Sequence, residues 1–354
     1  MYLCIWVYTM GLQGKSEGAV KFLLVTAALF VVLAGIKTAA TLLVPFLLSA
    51  FIAIICNPLV VMAARYKIPK PIAVVFVIGI FVSIALSLAG LVGNSLNELS
   101  QLIPVYRAQL QEEFIWLTQQ LDDYNIIISS ELLIEYFDPA AAMGLAANML
   151  SGLGGVMANL FLIIITVIFM LFEASSIPHK LHLALDDPQA RLKQIDQFLA
   201  SVNNYLAIKT LVSIATGVVV SIMLWAFGLD FFLLWGVLAF LLNYIPNIGS
   251  IIAAVPAMSL AVLQLGPAAA GFIGLGYLTI NTVMGNVVEP RYLGRGLGLS
   301  TLVVFLSLIF WGWLLGTVGM LLSVPLTMII KIALENSAEG RWFAVLLSSE
   351  DVDQ

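Results

Sequence analysis

Leu241-Leu242-Asn243-Tyr244-Ile245-Pro246-Asn247-Ile248-Gly249-Ser250-Ile251-Ile252-Ala253-Ala254-Val255-Pro256 is the stretch that decides how this chain folds. Its flanks are apolar enough for a membrane helix, yet its centre is not written as one. Pro246 removes a backbone donor and clashes with the preceding turn, and Gly249 admits φ angles closed to other residues. Asn243 and Asn247 offer donors and acceptors to the backbone groups so released. Non-helical backbone at bilayer depth survives only where protein buries it or water reaches it, and broken helices near the midplane recur in transporter sites. A Pro kink healed by neighbouring helices competes with this interpretation, and the Asn-Pro-Asn-Gly grouping weighs against it. Asn243, Tyr244, Pro246, Asn247 and Gly249 are therefore expected to line a solute path.

The rest of the composition agrees with a membrane setting. Of 354 residues, 62% are hydrophobic and 10% are charged. Several windows reach the ~20 apolar residues that cross a ~30 Å hydrocarbon core, which excludes a single anchor and an outer-membrane barrel. The expected fold class is an all-α polytopic integral membrane protein with about eight membrane segments. The net charge of −5 says little about partners, because orientation depends on Lys and Arg in particular. No basic patch suits nucleic acid, so the partners expected are a small-molecule substrate and membrane lipid. No cofactor is indicated. Cys4 and Cys56 lie apart in apolar contexts and suggest neither a disulfide framework nor a metal site. Met1 to Gly14 lacks a basic n-region and a small-residue cleavage site, so 1–18 is expected to be an N-terminal tail.

Three transmembrane helices are expected within 19–93: Ala19 to Ile36, Ala39 to Val61 with Pro45 and Pro58 inside or at its end, and a third opened by Pro71 as a suitable first helical residue. Arg65, Lys67 and Lys70 make the loop between the second and third cytoplasmic by the positive-inside rule, and the N-terminus with it. Residues 94–150 hold eight acidic residues and one base, Arg107, and belong outside. There Leu99, Ile103, Tyr106, Leu110, Phe114, Leu117 and Leu121 recur at helical spacing, and Ser130 and Asp138-Pro139 read as helix starts. An amphipathic helical periplasmic segment follows, more simply a packed face than a ligand site. The fourth helix occupies 151–172. A cytoplasmic helical loop, 173–204, carries Glu173, Lys180, Arg191 and Lys193; its His179 and His182 lack a further metal ligand nearby. Asp187-Pro188 starts a helix that leads into the fifth span, where Lys209 is expected to snorkel to the interface.

Residues 205–334 form the expected C-terminal transport core, followed by a cytoplasmic tail, 335–354. Phe231 to Leu265 is too long for one upright helix at 1.5 Å per residue. Leu299 to Leu334 is similarly long and is interrupted by Gly316, Gly319 and Pro325; with Pro256 these are the candidate hinges or helix breaks. A pair of interrupted hydrophobic segments in corresponding positions points to a transporter. Re-entrant hairpins are expected rather than tilted broken spans, because only hairpins put Arg291 and Arg295 on the cytoplasmic side. Between the two lies Pro267 to Val288 with Asn281. At α-helical spacing Thr282, Asn286 and Glu289 share a face.

Asn243 to Gly249, Glu289-Pro290-Arg291, Gly294 to Ser300, Trp311-Gly312-Trp313 and Ser323-Val324-Pro325 together resemble the autoinducer-2 exporter family of bacterial inner-membrane proteins. The similarity extends to Pro45-Phe46, Asn57-Pro58 and Asp138-Pro139, so it covers nearly the whole chain beyond the first ~20 residues. It implies export of autoinducer-2, a small furanone-derived quorum-sensing signal, with some members resembling sodium/proton antiporters. It also implies a homo-oligomer, a pentamer by family resemblance, in the bacterial inner membrane with both termini cytoplasmic.

A small polyhydroxylated solute needs paired donors and acceptors, which the amides of Asn243, Asn247, Asn281 and Asn286 supply. Bound as an anionic borate ester, it would be balanced by Arg291 or Arg295. Cation/proton antiport would instead use an intramembrane carboxylate, for which Glu289 stands first and Glu173 and Asp230 behind it. A Glu289 ion pair with Arg291 or Arg295 is the plainer expectation for that residue. An enzyme is not expected, since both histidines sit in a loop and no nucleophile is paired with a base.

Overall fold

The computed structural model describes residues 20, 23–122, 159–174, 176, 180, 188–246, 248–293, 299–335, 337 and 340–348. Among them there is no strand. The helices are α1 (Leu23–Thr38), α2 (Ala40–Arg65), α3 (Lys70–Asp122), α4 (Leu160–Glu173), α5 (Pro188–Ala226), α6 (Phe232–Leu242), α7 (Gly249–Leu265) and α8 (Pro267–Val283). A π-helical turn (Met284–Val288) joins α8 to α9 (Glu289–Leu293); α10 (Thr301–Leu321), α11 (Ser323–Glu335) and α12 (Arg341–Leu347) follow. Five stretches, Ala40–Arg65, Lys70–Leu99, Leu199–Ala226, Pro267–Tyr292 and Thr301–Leu321, are long and apolar enough to cross a membrane. Large apolar side chains such as Phe30, Phe76, Phe161, Phe169 and Trp225 are exposed on helix after helix. A water-soluble chain would bury them; hydrocarbon solvates them, and the protein is polytopic in the membrane.

Several expected boundaries move. The third helix does not stop near Gly93 but continues to Asp122, 53 residues in all and about 80 Å long at the α-helical rise. Pro45 and Pro58 both lie inside α2 without ending it, as neighbouring helices allow in membranes. Ser49, one turn beyond Pro45, bonds the Pro45 carbonyl at 2.7 Å and reaches the Ile163 carbonyl of α4 at 3.3 Å. Pro188 does begin a helix that enters the fifth span unbroken, while Asp187 lies outside the described residues. The N-terminal tail, Ser130, Asp138, His179 and His182 lie outside the described residues.

Three apolar clusters organise the packing. One joins α2, α3 and α4 around Cys56, Val74, Ile163 and Val167. A second joins α1, α2, the first half of α5, α10 and α11 around Phe51, Val202, Leu314 and Val324. The third joins the second half of α5 to α6, α7 and α8 around Leu224, Trp235, Leu260 and Ile273. Helix α5 therefore serves two clusters and acts as the spine of the molecule.

Against that spine, α6 and α7 form a hairpin. The Gln264 side chain accepts from the Asp230 N–H at 2.9 Å and donates to the Gly228 carbonyl at 3.2 Å, so the far end of α7 returns to the entrance of α6. The tip is Asn243 to Ile248, the break anticipated from Pro246 and Gly249. A Cβ on Gly249 would stand 1.8 Å from the Leu242 carbonyl oxygen, so only glycine lets the chain turn back this tightly. The Gly217 and Gly236 backbones touch as well: a Cβ on either would come within 2.8 Å of the other's carbonyl oxygen. Small residues thus let α5 and α6 pack backbone to backbone.

The second long segment also breaks, but not at all the expected places. Gly316 has φ 70° and ψ −152° inside α10, a conformation essentially reserved for glycine. Past it the chain folds back, so that a Cβ on Gly319 would meet the Trp311 carbonyl oxygen at 2.1 Å. Pro325 begins no break; it is the third residue of α11, where its missing N–H is one of the helix's unpaired donors anyway. Pro256 is a correction too, because α7 runs through it unbroken.

Candidate functional site

One face of α5 carries the polar groups that receive the hairpin tip. Lys209, Thr210, Ser213, Thr216, Gly217 and Ser221 recur at helical spacing along an otherwise apolar span. Lys209, Ser213 and Thr216 are buried. Thr210, Thr216 and Ser221 donate to the carbonyls four residues back, at 2.7, 2.8 and 2.9 Å, which satisfies hydroxyls that hydrocarbon cannot. Their oxygens remain free to accept.

The tip of the α6–α7 hairpin uses two of these groups. Asn243 Nδ2 donates to Ser213 Oγ at 2.9 Å, with both residues buried. Tyr244 Oη donates to Thr210 Oγ1 at 2.7 Å, and its ring meets Phe240 edge to face. Gly249 is buried and Pro246 half-buried. Asn247 lies outside the described residues.

Below the tip sits the Lys209–Glu289 pair. Lys209 Nζ is 2.8 Å from both oxygens of the Glu289 carboxylate, and the side chains are 4% and 18% exposed. Lys209 therefore does not snorkel to an interface; a carboxylate at its own depth holds it. Glu289 pairs with Lys209 rather than with Arg291, which is exposed. Arg295 lies outside the described residues. Tyr205, one helical turn before Lys209 and 4% exposed, stands within electrostatic range of both Glu289 and Tyr244. Tyr205, Lys209, Thr210, Ser213, Asn243, Tyr244 and Glu289 thus form one polar cluster.

The face shared by Thr282, Asn286 and Glu289 is not kept. Between Thr282 and Glu289 the chain takes the π-helical turn Met284–Val288, whose extra residue shifts the phase of everything after it. Thr282 and Asn286 are exposed, whereas Glu289 turns inward onto α5, and Asn281 is half-buried. The sequence contained a signal for Lys209, Thr210 and Ser213, namely a polar stripe at spacing four and three in a membrane helix. It contains none for the π-turn.

A separate groove of about 610 Å³ opens between α3, α5 and α6. Ile84, Leu88, Val218, Phe232 and Val237 line it, an almost wholly apolar surface in which Ser221 is the one hydroxyl. Among the described residues no three His, Cys, Asp or Glu side chains gather as a metal site. Asp230 and Glu173, the other candidate carboxylates, lie at helix ends: Asp230 beside Gln264, and Glu173 paired with Lys180.

Comparison with known proteins agrees with this architecture. A family model described as "AI-2E family transporter" matches residues 23–339. The chain is similar to the AI-2 transport protein TqsA of Escherichia coli (strain K12), 47% identical over 328 residues that cover 93% of this chain and 95% of that protein. It is also 44% identical over 331 residues to a "Putative transport protein" of Haemophilus influenzae, covering 92% and 95% of the two chains.

Proposed function

The chain belongs to the AI-2E family of transporters, and from that premise we propose that it exports autoinducer-2 across a bacterial inner membrane. The observation that carries the proposal is the docked tip: Asn243 on Ser213 and Tyr244 on Thr210. An amide and hydroxyls that already pair with one another are groups a polyhydroxylated solute can compete for, exchanging one hydrogen bond for another. Asn281 on α8 extends the same chemistry along the path, with Asn286 and Arg291 toward its mouth.

Membrane placement follows from lengths and charges. Helix α6 has 11 residues, about 17 Å at the α-helical rise, and cannot cross a ~30 Å core. The α6–α7 pair is therefore a re-entrant hairpin. With Arg65, Lys67, Lys70 and Lys180 inside, α5 runs outward, so this hairpin enters from the periplasm and its tip approaches the cytoplasmic half. The α10–α11 segment then enters from the opposite side. Opposed interrupted segments around a midplane site suit alternating access. Both termini are cytoplasmic in this arrangement, and the exposed apolar helix faces leave room for homo-oligomeric packing, a pentamer by family resemblance.

Cation/proton antiport is the second reading, favoured by the carboxylate of Glu289 at the end of a membrane segment. Purified protein in liposomes separates the two. Efflux of labelled autoinducer-2 that depends on the protein, and that Pro246→Ala impairs at unchanged insertion, is the expected result. Sodium-dependent proton flux without autoinducer-2 movement would replace the first reading with the second.

A further inference from the structure

We propose that the Lys209–Glu289 pair is a proton-operated latch: one proton taken up by the Glu289 carboxylate releases the π-helical turn from α5, and loss of that proton closes it again. As a contact between α5 and the π-turn it stands without the transport reading; as the step that couples export to a proton gradient it rests on it.

Three observations point the same way. Both carboxylate oxygens lie 2.8 Å from one ammonium, so the contact depends on the carboxylate's charge far more than a single neutral hydrogen bond would. The exposures differ, 4% for Lys209 and 18% for Glu289, so the carboxylate is the more open partner and the ammonium is enclosed by protein. Proton exchange then takes place at Glu289, while Lys209 stays a fixed counter-charge. Finally, the residues just before Glu289 are the π-helical turn Met284–Val288, a wide turn that is rare in isolation and common at functional sites. Returning it to α-helical winding would carry Glu289 about one residue, roughly 100°, around the helix axis and away from α5.

The surroundings leave this pair in charge of the outcome. From α5 the titratable groups beside Glu289 are Lys209 and Tyr205, and Tyr205 in turn neighbours Tyr244 of the hairpin tip. On its own element Arg291 points outward. Helix α8, packed alongside, has Tyr277 as its one titratable side chain, and Lys331 of α11 pairs with Glu335. The step balances simply: Glu289 gains a proton from water, the ion pair becomes a buried ammonium with a neutral acid, and a buried charge without its counter-charge favours a conformation that admits water. Because Tyr244 belongs to the same cluster, opening beside Glu289 is felt at the hairpin tip that holds Asn243 on Ser213.

The test reads the latch without substrate. In a background lacking Cys4 and Cys56, spin labels at Val287→Cys on the π-turn and Leu211→Cys on α5 report their separation by pulsed electron paramagnetic resonance in liposomes. A latch gives two separations whose ratio shifts at least tenfold toward the longer one as pH falls; Glu289→Gln fixes the longer one at every pH. The Lys209→Met/Glu289→Gln double variant, with neither charge, shows no pH dependence. One unchanging separation in the labelled parent, or a pH shift that survives in the double variant, overturns the proposal. A transport arm keeps the two ideas apart: with an active latch, the ratio of autoinducer-2 efflux with a pH gradient to efflux without one falls to about one in Glu289→Gln. Full stimulation in Glu289→Gln also overturns the coupling role. Absence of autoinducer-2 movement in the unsubstituted protein sinks the transport proposal, while the distances between the spin labels still decide whether the latch exists.

Discussion

The two interrupted segments reach similar shapes by different means. In the α6–α7 hairpin the reversal takes six residues, Asn243 to Ile248, and its side chains bond outward to Ser213 and Thr210 of α5. In the α10–α11 segment the reversal turns on Gly316 alone, and the bonds run inward. Trp311 Nε1 donates to Thr327 Oγ1 at 3.0 Å, Gly319 backs onto the Trp311 carbonyl, and Met320 covers Gly312. The first hairpin is thus held by its neighbour and the second by itself. A structure anchored by exchangeable side-chain bonds can be undocked by a competing solute, while one closed on its own backbone moves as a unit.

The largest expected effect would show that both depend on glycine. Gly249→Leu and Gly319→Leu each drive a side chain into a main-chain carbonyl that cannot step aside; both should lose most folded protein, measured by detergent size exclusion. Gly316→Ala comes next. Its backbone lies in a region other residues enter at a cost of about 1–3 kcal/mol, so a lower thermal midpoint is expected with the α6–α7 tip unaffected. A midpoint equal to that of the unsubstituted protein would mean the reversal does not need Gly316.

Asn243→Ala separates the hairpins by function. It should cost about 1–3 kcal/mol of stability by leaving Ser213 Oγ buried without its partner, and it should raise the autoinducer-2 concentration for half-maximal transport. Trp311→Phe removes an internal bond instead, about 0.5–1.5 kcal/mol, and should lower the thermal midpoint while leaving that concentration in place. Equal effects of the two on transport would erase the contrast. The smallest effect belongs to Pro256→Ala, which restores a donor in an already continuous helix and should change neither export nor stability by a measurable amount.

Chemistry decided what the sequence made legible. The break at Asn243 to Gly249 could be read because proline and glycine act on the backbone of their own residues. The polytopic helical class could be read because apolar length is a local property. Pro256 misled for the complementary reason: proline opens a helix only where neighbours fail to shelter the freed carbonyl, and α7 is sheltered. The partner of Glu289 was hidden because Arg291 and Arg295 are near in sequence and Lys209 is 80 positions away; only the fold of α8 across α5 brings it close. The π-turn was hidden more deeply, since an extra residue per turn leaves no compositional trace. The hydroxyls of α5 were visible but bland, as Thr210, Thr216 and Ser221 bond their own helix.

Helix α3 gives the molecule a mechanical property of another kind. It is unbroken from Lys70 to Asp122, and Val92, Leu96 and Leu99 lean on the cluster that contains the α6–α7 hairpin. Beyond Leu99 it continues for a further 23 residues, about 35 Å of stiff rod at the α-helical rise. A rod of that length is a lever. If the hairpin rocks and tilts α3 by about 10°, the far end sweeps on the order of 6 Å, enough for a fluorophore near Asp122 to follow the transport cycle far from the solute path.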